Sequence, residues 1–171
     1  MVAIVPLLLM ALRPALPDPF LVQAELQGLY DEMSQASLQF KTANDVDDFH
    51  SALYTPDWTF TDAAGHKQAW DERRTLEIDA LSKVKPDSIR LSIAKMTLVP
   101  GGATVVVQLA SGRMVVDDTG RYGPQGRSHL VTELTTFRDD WIVGADEHWK
   151  VKSRQQLGDP KTLVDKPAPT R

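Results

Sequence analysis

Near Pro86 the hydrophobic pattern of this chain changes period, and that switch narrows the folds open to it more than any other feature. Before it, Val22, Leu26, Leu29, Met33, Ala36 and Phe40 recur at alternating spacings of four and three, which predicts a long helix over Phe20 to Lys41 with one apolar face. Gly28 weakens that helix only slightly. Asn44 or Asp45 can cap a second, short helix through Leu53. A strand over Trp58 to Thr61 follows a Pro56-Asp57 turn, and a third helix is expected over about Lys67 to Lys83, closed by Pro86. After Pro86 the period is two. Ser88 to Val99 alternates, Pro100-Gly101-Gly102 turns, and Ala103 to Asp118 runs on as a long β-rich segment. The Gly120 to Gly126 loop leads into a strand from Ser128 to Arg138, and an Asp139-Asp140 turn is expected before a last strand over Trp141 to Val151. Helices followed by long antiparallel strands imply an α+β domain whose sheet buries one face against those helices.

Composition removes several function classes. The chain of 171 residues is 42% hydrophobic and 25% charged, enough for one sizeable core and short for two. A net charge of -4 with no long basic run offers a nucleic-acid backbone nothing to hold. With no cysteine, disulfides, thiolate nucleophiles and Cys-ligated metals are excluded. Asp45, Asp47, Asp48 and His50 form an acidic cluster with no glycine where a calcium loop needs one, so it reads as a solvated helix start; no metal and no cofactor are expected. Residues 1–19 are apolar and then Pro-rich: Met1 to Leu12 has the length of an export-signal core but lacks a basic lead, and is too short to span a bilayer. An exported chain and a cytoplasmic one with an arm packed on a partner subunit stay equally open. Gly158 to Arg171 is polar and Pro-rich and reads as a mobile tail, which leaves residues 20–157 as the domain.

Two segments carry a family resemblance. One is the helix-like Asp45 to Leu53 running into Tyr54-Thr55-Pro56-Asp57-Trp58-Thr59-Phe60-Thr61-Asp62-Ala63-Ala64-Gly65; the other is Phe137-Arg138-Asp139-Asp140-Trp141-Ile142-Val143. Together they resemble the NTF2-like superfamily, which includes SnoaL-like cyclases, ketosteroid isomerases and many small domains without an assigned role. The likeness implies a cone: N-terminal helices packed on a highly curved, mostly antiparallel sheet, with a pocket at its open end. That fold hosts many chemistries and also pure binding roles, so it does not choose a function.

The resemblance also suggests residues. Asp62 falls where the isomerase branch carries its proton-shuttling aspartate, and Glu133 where it carries a neutral acid that donates to an oxyanion. The branch's helical tyrosine has no match, since Leu38 or its neighbour occupies the position and Tyr30 lies about two turns earlier. Scytalone-dehydratase-like relatives use pocket histidines with Tyr and Asp, to which His129 with Tyr30-Asp31 is loosely similar. Each residue has a plainer reading: Asp62 closing the turn before Gly65, Glu133 on a wet convex face, and His129 as a hydrogen-bonded wall. Trp58 and Trp70 are placed as flat walls for a ring-shaped ligand, with Tyr30, Tyr54 and Phe137 as further ligand-binding candidates. His50 and His66 are expected on surfaces, and Arg73 and Arg74 on a solvated helix face.

Two functions follow from these readings. One is a pocket protein for a small apolar molecule, non-catalytic or of unassigned activity. The alternative is a cofactor-free acid/base enzyme of isomerase, cyclase or dehydratase type, with Asp62 as base and Glu133 or His129 as acid. Long strands with apolar and Thr-rich sets on both faces also suggest a homodimer formed through the outer face of the sheet.

Overall fold

The computed structural model describes residues 17–83 and 85–165. Helix α1 (Pro19–Gln39) starts at Asp18, whose carboxylate accepts from the Phe20 amide at 2.9 Å, with proline in its first turn. Its buried face carries Val22, Leu26, Tyr30, Met33 and Ser34. Helix α2 (Ala43–Leu53) starts one residue before the expected caps, because Thr42 and Asp45 form a reciprocal capping box.

Strand β1 (Tyr54–Thr61) follows without a gap, and β2 (Lys67–Ala69) returns against it. The expected Pro56-Asp57 turn is instead an irregularity inside β1, where the register with its neighbour shifts between Tyr54 and Thr59. Proline lacks the ladder donor, and a bulge absorbs it. Lys67 to Ala69 was expected to be helical, but pairing with Thr61, Phe60 and Thr59 claims it, so α3 (Trp70–Leu81) begins later.

The remaining strands are β3 (Ser88–Val99), β4 (Gly102–Asp117), β5 (Arg127–Val143), β6 (Trp149–Gln156) and β7 (Lys161–Val164). They make one open, curved sheet in the order β2-β1-β6-β5-β4-β3, with β7 also on β5. All pairs are antiparallel except β1 with β6. Residues 161–164, expected in a mobile tail, continue along β5 beyond β6 and pair with Val131 to Leu134.

Asp139-Asp140 is not a turn. β5 runs straight through it, because both carboxylates are satisfied inside the sheet: Asp140 accepts from Thr104 Oγ1 at 2.9 Å and Ser153 Oγ at 2.8 Å, while Asp139 points into the core. The chain turns at residues 144–148, where Glu147 takes a left-handed φ of 63°. Trp141 and Trp149 therefore lie on neighbouring strands rather than one, both packed into the main core.

Helix α1 covers the exposed edge of the sheet as well as its face. β3 is an edge strand, and its free groups bond to the helix: Gln27 Nε2 donates to the Leu91 carbonyl at 2.9 Å, Gln27 Oε1 accepts from Ile93 N at 3.0 Å, and Ser34 Oγ accepts from Leu91 N at 3.0 Å. The core beneath it is built from Leu26, Met33, Val105, Val107 and Val151.

Two glycines test this packing in opposite directions. A side chain at Gly102 would meet the Trp141 backbone carbonyl at a distance real contacts do not reach, whereas Gly28 lies on the exposed side of α1 with nothing near it. Gly102→Ala should cost about 2 kcal/mol or more, and Gly28→Ala should gain roughly 0.5–1 kcal/mol from helix propensity. Chemical denaturation of both variants checks the pair; an unchanged Gly102→Ala midpoint would contradict the tight β4–β5 approach.

Candidate functional site

One cavity of about 460 Å³ opens between α2, α3, β1 and the concave face of the sheet. Its position follows from the local sequence. Tyr54 caps α2 and starts β1, and alternation along β1 then puts Trp58 and Phe60 on the buried side. Helix α3 lies across the opening, with none of its residues fully buried. It is held to α2 by a bidentate ion pair from Arg74 to Asp47 at 2.6 and 2.7 Å.

The wall is an aromatic stack. The His50 ring lies parallel to Trp70, with centroids 3.6 Å apart, and to Tyr54 at 4.8 Å. Trp58 stands edge-on to all three, at 5.5 Å from His50, 5.0 Å from Tyr54 and 6.1 Å from Trp70. Burial pushes the His50 imidazole down to about 4, against a weaker opposing pull from Asp47, so the ring is neutral at neutral pH. Its Nε2 and the Trp58 Nε1 are both buried with no hydrogen-bond partner among the described residues.

The floor is a charged network. Asp139 is fully buried and accepts from Arg154 Nε at 2.8 Å and Nη2 at 2.6 Å, and from the Tyr30 hydroxyl at 2.7 Å. Trp141 Nε1 donates to the same hydroxyl at 2.8 Å. Burial is the largest single influence and resists the charge on Arg154, but the Asp139 carboxylate together with smaller contributions from Tyr54 and Tyr30 outweighs it and holds the guanidinium ionised. Arg154 lines the cavity with its group 5.1 Å above the Phe137 ring. On α3, Arg73 lies 4.4 Å over Phe60 and is tied to Glu77.

The residues expected from sequence divide sharply. Tyr54, Trp58, Trp70 and Phe137 meet at the cavity. Tyr30 is buried behind it and spends its hydroxyl on Asp139 and Trp141, so it positions the floor rather than lining it. Asp62, Glu133 and His129 do not converge. Asp62 lies outside the lining and closes the β1–β2 hairpin, accepting from the His66 amide at 2.8 Å beside Gly65, whose φ is 91°. The His66 amide, against a smaller cost of burial, holds the Asp62 carboxyl below its ordinary range, the opposite of what a buried base needs. Glu133 is exposed, between Ser111 and Thr162. It shares the face of Phe137, yet lies outside the lining. His129 is buried under the loop after β4, with Gly123 against its ring and neither nitrogen bonded among the described residues.

That loop is anchored by Asp117, which accepts from the amides of Thr119, Arg121, Tyr122 and Gly123. Although burial opposes the charge, these bonds, led by Tyr122, hold its carboxyl down at about 2. The acidic cluster before His50 is likewise dispersed: Asp45 caps α2, Asp47 pairs with Arg74, and His50 joins the aromatic stack.

His50, expected on a surface, and Arg73, expected in solvent, both line the cavity, as does Arg154. A signal for His50 existed, since Val46, His50 and Leu53 recur at helical spacing and all three are buried. Arg73 and Glu77, four apart on α3, were readable as a pair but not as cavity wall.

Comparison with solved structures places this arrangement among known folds. A conserved protein from Planctomyces limnophilus superposes with a TM-score of 0.58 at 13% identity, over 83% of this chain and 98% of that one. An NTF2-like superfamily protein from Salmonella enterica gives 0.55 at 13% identity over 84% and 95%. An NTF2-like protein of unknown function in nutrient uptake from Rhodospirillum rubrum gives 0.52 at 19% identity over 77% and 97%. No family model matches the chain, and no curated protein does. The chain has the NTF2-like fold, and at these identities the likeness extends to the fold alone.

The buried neutral His50 gives the site an acid signature. Because its folded value lies below the ordinary 6.5, the unfolded chain takes up the proton first. The stability held by the neutral ring is complete above about pH 6.5 and is lost as pH falls toward 4. Comparing wild type with His50→Phe, the difference in unfolding free energy should shift by roughly 1–3 kcal/mol against the wild type between pH 7 and 4. Parallel stability curves for the two proteins would show that His50 titrates as an exposed ring.

Proposed function

We propose that this chain is a non-catalytic binding protein that takes a small, flat, largely apolar molecule into the cavity between α2, α3 and the sheet. The observation that carries the reading is a cavity of about 460 Å³ walled by Tyr54, Trp58, Trp70 and Phe137, the size and lining of a small-molecule site. What favours it over an acid/base enzyme is the chemistry of the wall. The one carboxylate on the lining, Glu77, is engaged by Arg73, and the histidine there is held neutral by burial.

Trp58 and Trp70 make binding visible in intrinsic fluorescence. Titration with 1-aminoanthracene, a flat apolar probe, should saturate with a single site. Trp70→Ala should weaken it by about tenfold or more, since Trp70 stacks on His50 at the rim. Asp62→Asn should leave binding unchanged. A linear, unsaturable signal would remove the cavity reading.

We also propose that two copies pair through the outer face of the sheet. Met114 and Val116 on β4 and Leu163 on β7 are 57%, 59% and 52% exposed on the side facing away from the core, with Leu130 between them. Scattered single apolar residues are ordinary, but a continuous patch across adjacent strands is not. Light scattering on the full chain at micromolar concentration should give twice the monomer mass, and Met114→Lys with Val116→Lys should return it to the monomer. A monomeric wild type would end this proposal.

A further inference from the structure

The cavity's polar groups are mismatched in number. Four cationic side chains line it, Arg73, Arg154, Lys83 and Lys85, against one carboxylate, Glu77, in a chain whose net charge is -4. The hydrogen-bonding inventory has the same bias. Arg154 spends Nε and Nη2 on Asp139, which leaves Nη1 as the part of its fork without a protein partner among the described residues. The Tyr54 hydroxyl has no protein partner there either, and the Trp58 Nε1 is a donor only, buried and unbonded. His50, at 7% exposure, leaves Nε2 unbonded on the same wall. A buried polar atom without a partner is costly, and Trp58 Nε1 and His50 Nε2 are two on one wall. Trp58, at 5% exposure, and His50 are walls of a site that supplies them no polar partner among the described residues.

We infer that the ligand is a flat apolar acid, a ring system bearing a carboxylate, with the ring against Trp58, Trp70 and Phe137 and the carboxylate received by Arg154 Nη1 and the Tyr54 hydroxyl. This rests on the cavity-binding reading and adds the charge of the occupant. Arg154 is suited to the role because it is already fixed: Asp139 holds one side of the guanidinium, so a second carboxylate meets an oriented donor rather than a mobile side chain. Tyr54 begins β1 beside Val151 of β6, and Phe60 of the same strand lies directly opposite Arg154, so both donors stand on adjacent strands of one sheet. Lys83 and Lys85 at the rim give the opening a positive bias, although Lys85 also donates to the Phe40 carbonyl. A cationic ligand would find Glu77 alone, already engaged by Arg73.

The test uses the full chain and a matched series: 2-naphthoate, its methyl ester, and 2-naphthylmethylammonium, measured by titration calorimetry at pH 7.5. The expected order is carboxylate over ester by about tenfold or more, with the ammonium weakest. Tyr54→Phe should cut the carboxylate's advantage over the ester several-fold, and Arg154→Lys, which keeps the charge beside Asp139 but loses the fork, should do the same more strongly. Should Arg154→Lys not fold, the ligand series and Tyr54→Phe decide alone. Equal binding of carboxylate and ester overturns the acid inference and leaves the cavity reading standing, as does tighter binding of the ammonium. Absence of binding by every member removes both.

Discussion

The buried carboxylate of Asp139 is the constraint on which the rest of the molecule depends. A charge with no solvent exposure is tolerated only when paired and fully hydrogen-bonded, and here that takes Arg154 from β6 and Tyr30 from α1. Three elements distant in sequence are thereby fixed to one point. Trp141 completes the group by donating to the Tyr30 hydroxyl, with its ring edge-on to Tyr30 at 5.4 Å. Replacing the set with apolar residues of equal volume need not weaken the fold, whereas removing one member would leave a buried charge uncompensated at a cost of about 3–5 kcal/mol. Burial first, and then the negative charge beside it, drives the Tyr30 phenol far above its ordinary value, so it remains a donor to Asp139.

The same network links fold to site. Arg154 shares its guanidinium between the core, through Asp139, and the cavity, through the side facing Phe137. A residue that must be charged for the fold is thus also presented, oriented, to whatever enters the cavity. Helix α1 contributes indirectly, by covering the β3 edge with Gln27 and Ser34. The opposite wall is looser. Helix α3 has no fully buried residue and is held by Arg74 on Asp47 and by the stacking of Trp70 on His50. Elements with little buried surface open at low free-energy cost, and α3 is such an element.

The strand content of the sequence was legible because half-buried strands alternate. β3 occupies the expected residues, β4 lies within one residue at each end, and the long α1 face was visible in its four-and-three spacing. Four of the aromatic candidates, Tyr54, Trp58, Trp70 and Phe137, meet at the cavity. The expected turn at Asp139-Asp140 failed for a reason that local sequence does not contain. Two adjacent carboxylates signal a turn only if water is to solvate them, and here Arg154, Thr104 and Ser153 do so instead. Asp62 illustrates the reverse: its local reading, closing the turn before Gly65, is what the hairpin displays, while the role implied by family likeness would have required burial that a hairpin tip lacks.

What the sequence determined by itself was therefore the order of the three helices and the long strands and the apolar face of α1, since hydrophobic period is a local property, whereas β2 and β7 come from pairing. What only the tertiary structure decided was phase. Across β5 and β6 the register slips between Asp140 and Trp141, so that Trp141 faces Val151 while Asp139 faces Arg154. Uninterrupted alternation from Val151 would have turned Arg154 outward. One extra residue on β6 reverses that, bringing the arginine to the buried aspartate and to the cavity. The bulge has no motif in the sequence because it is the outcome of a competition between strands, settled by the cost of leaving Asp139 buried without a partner.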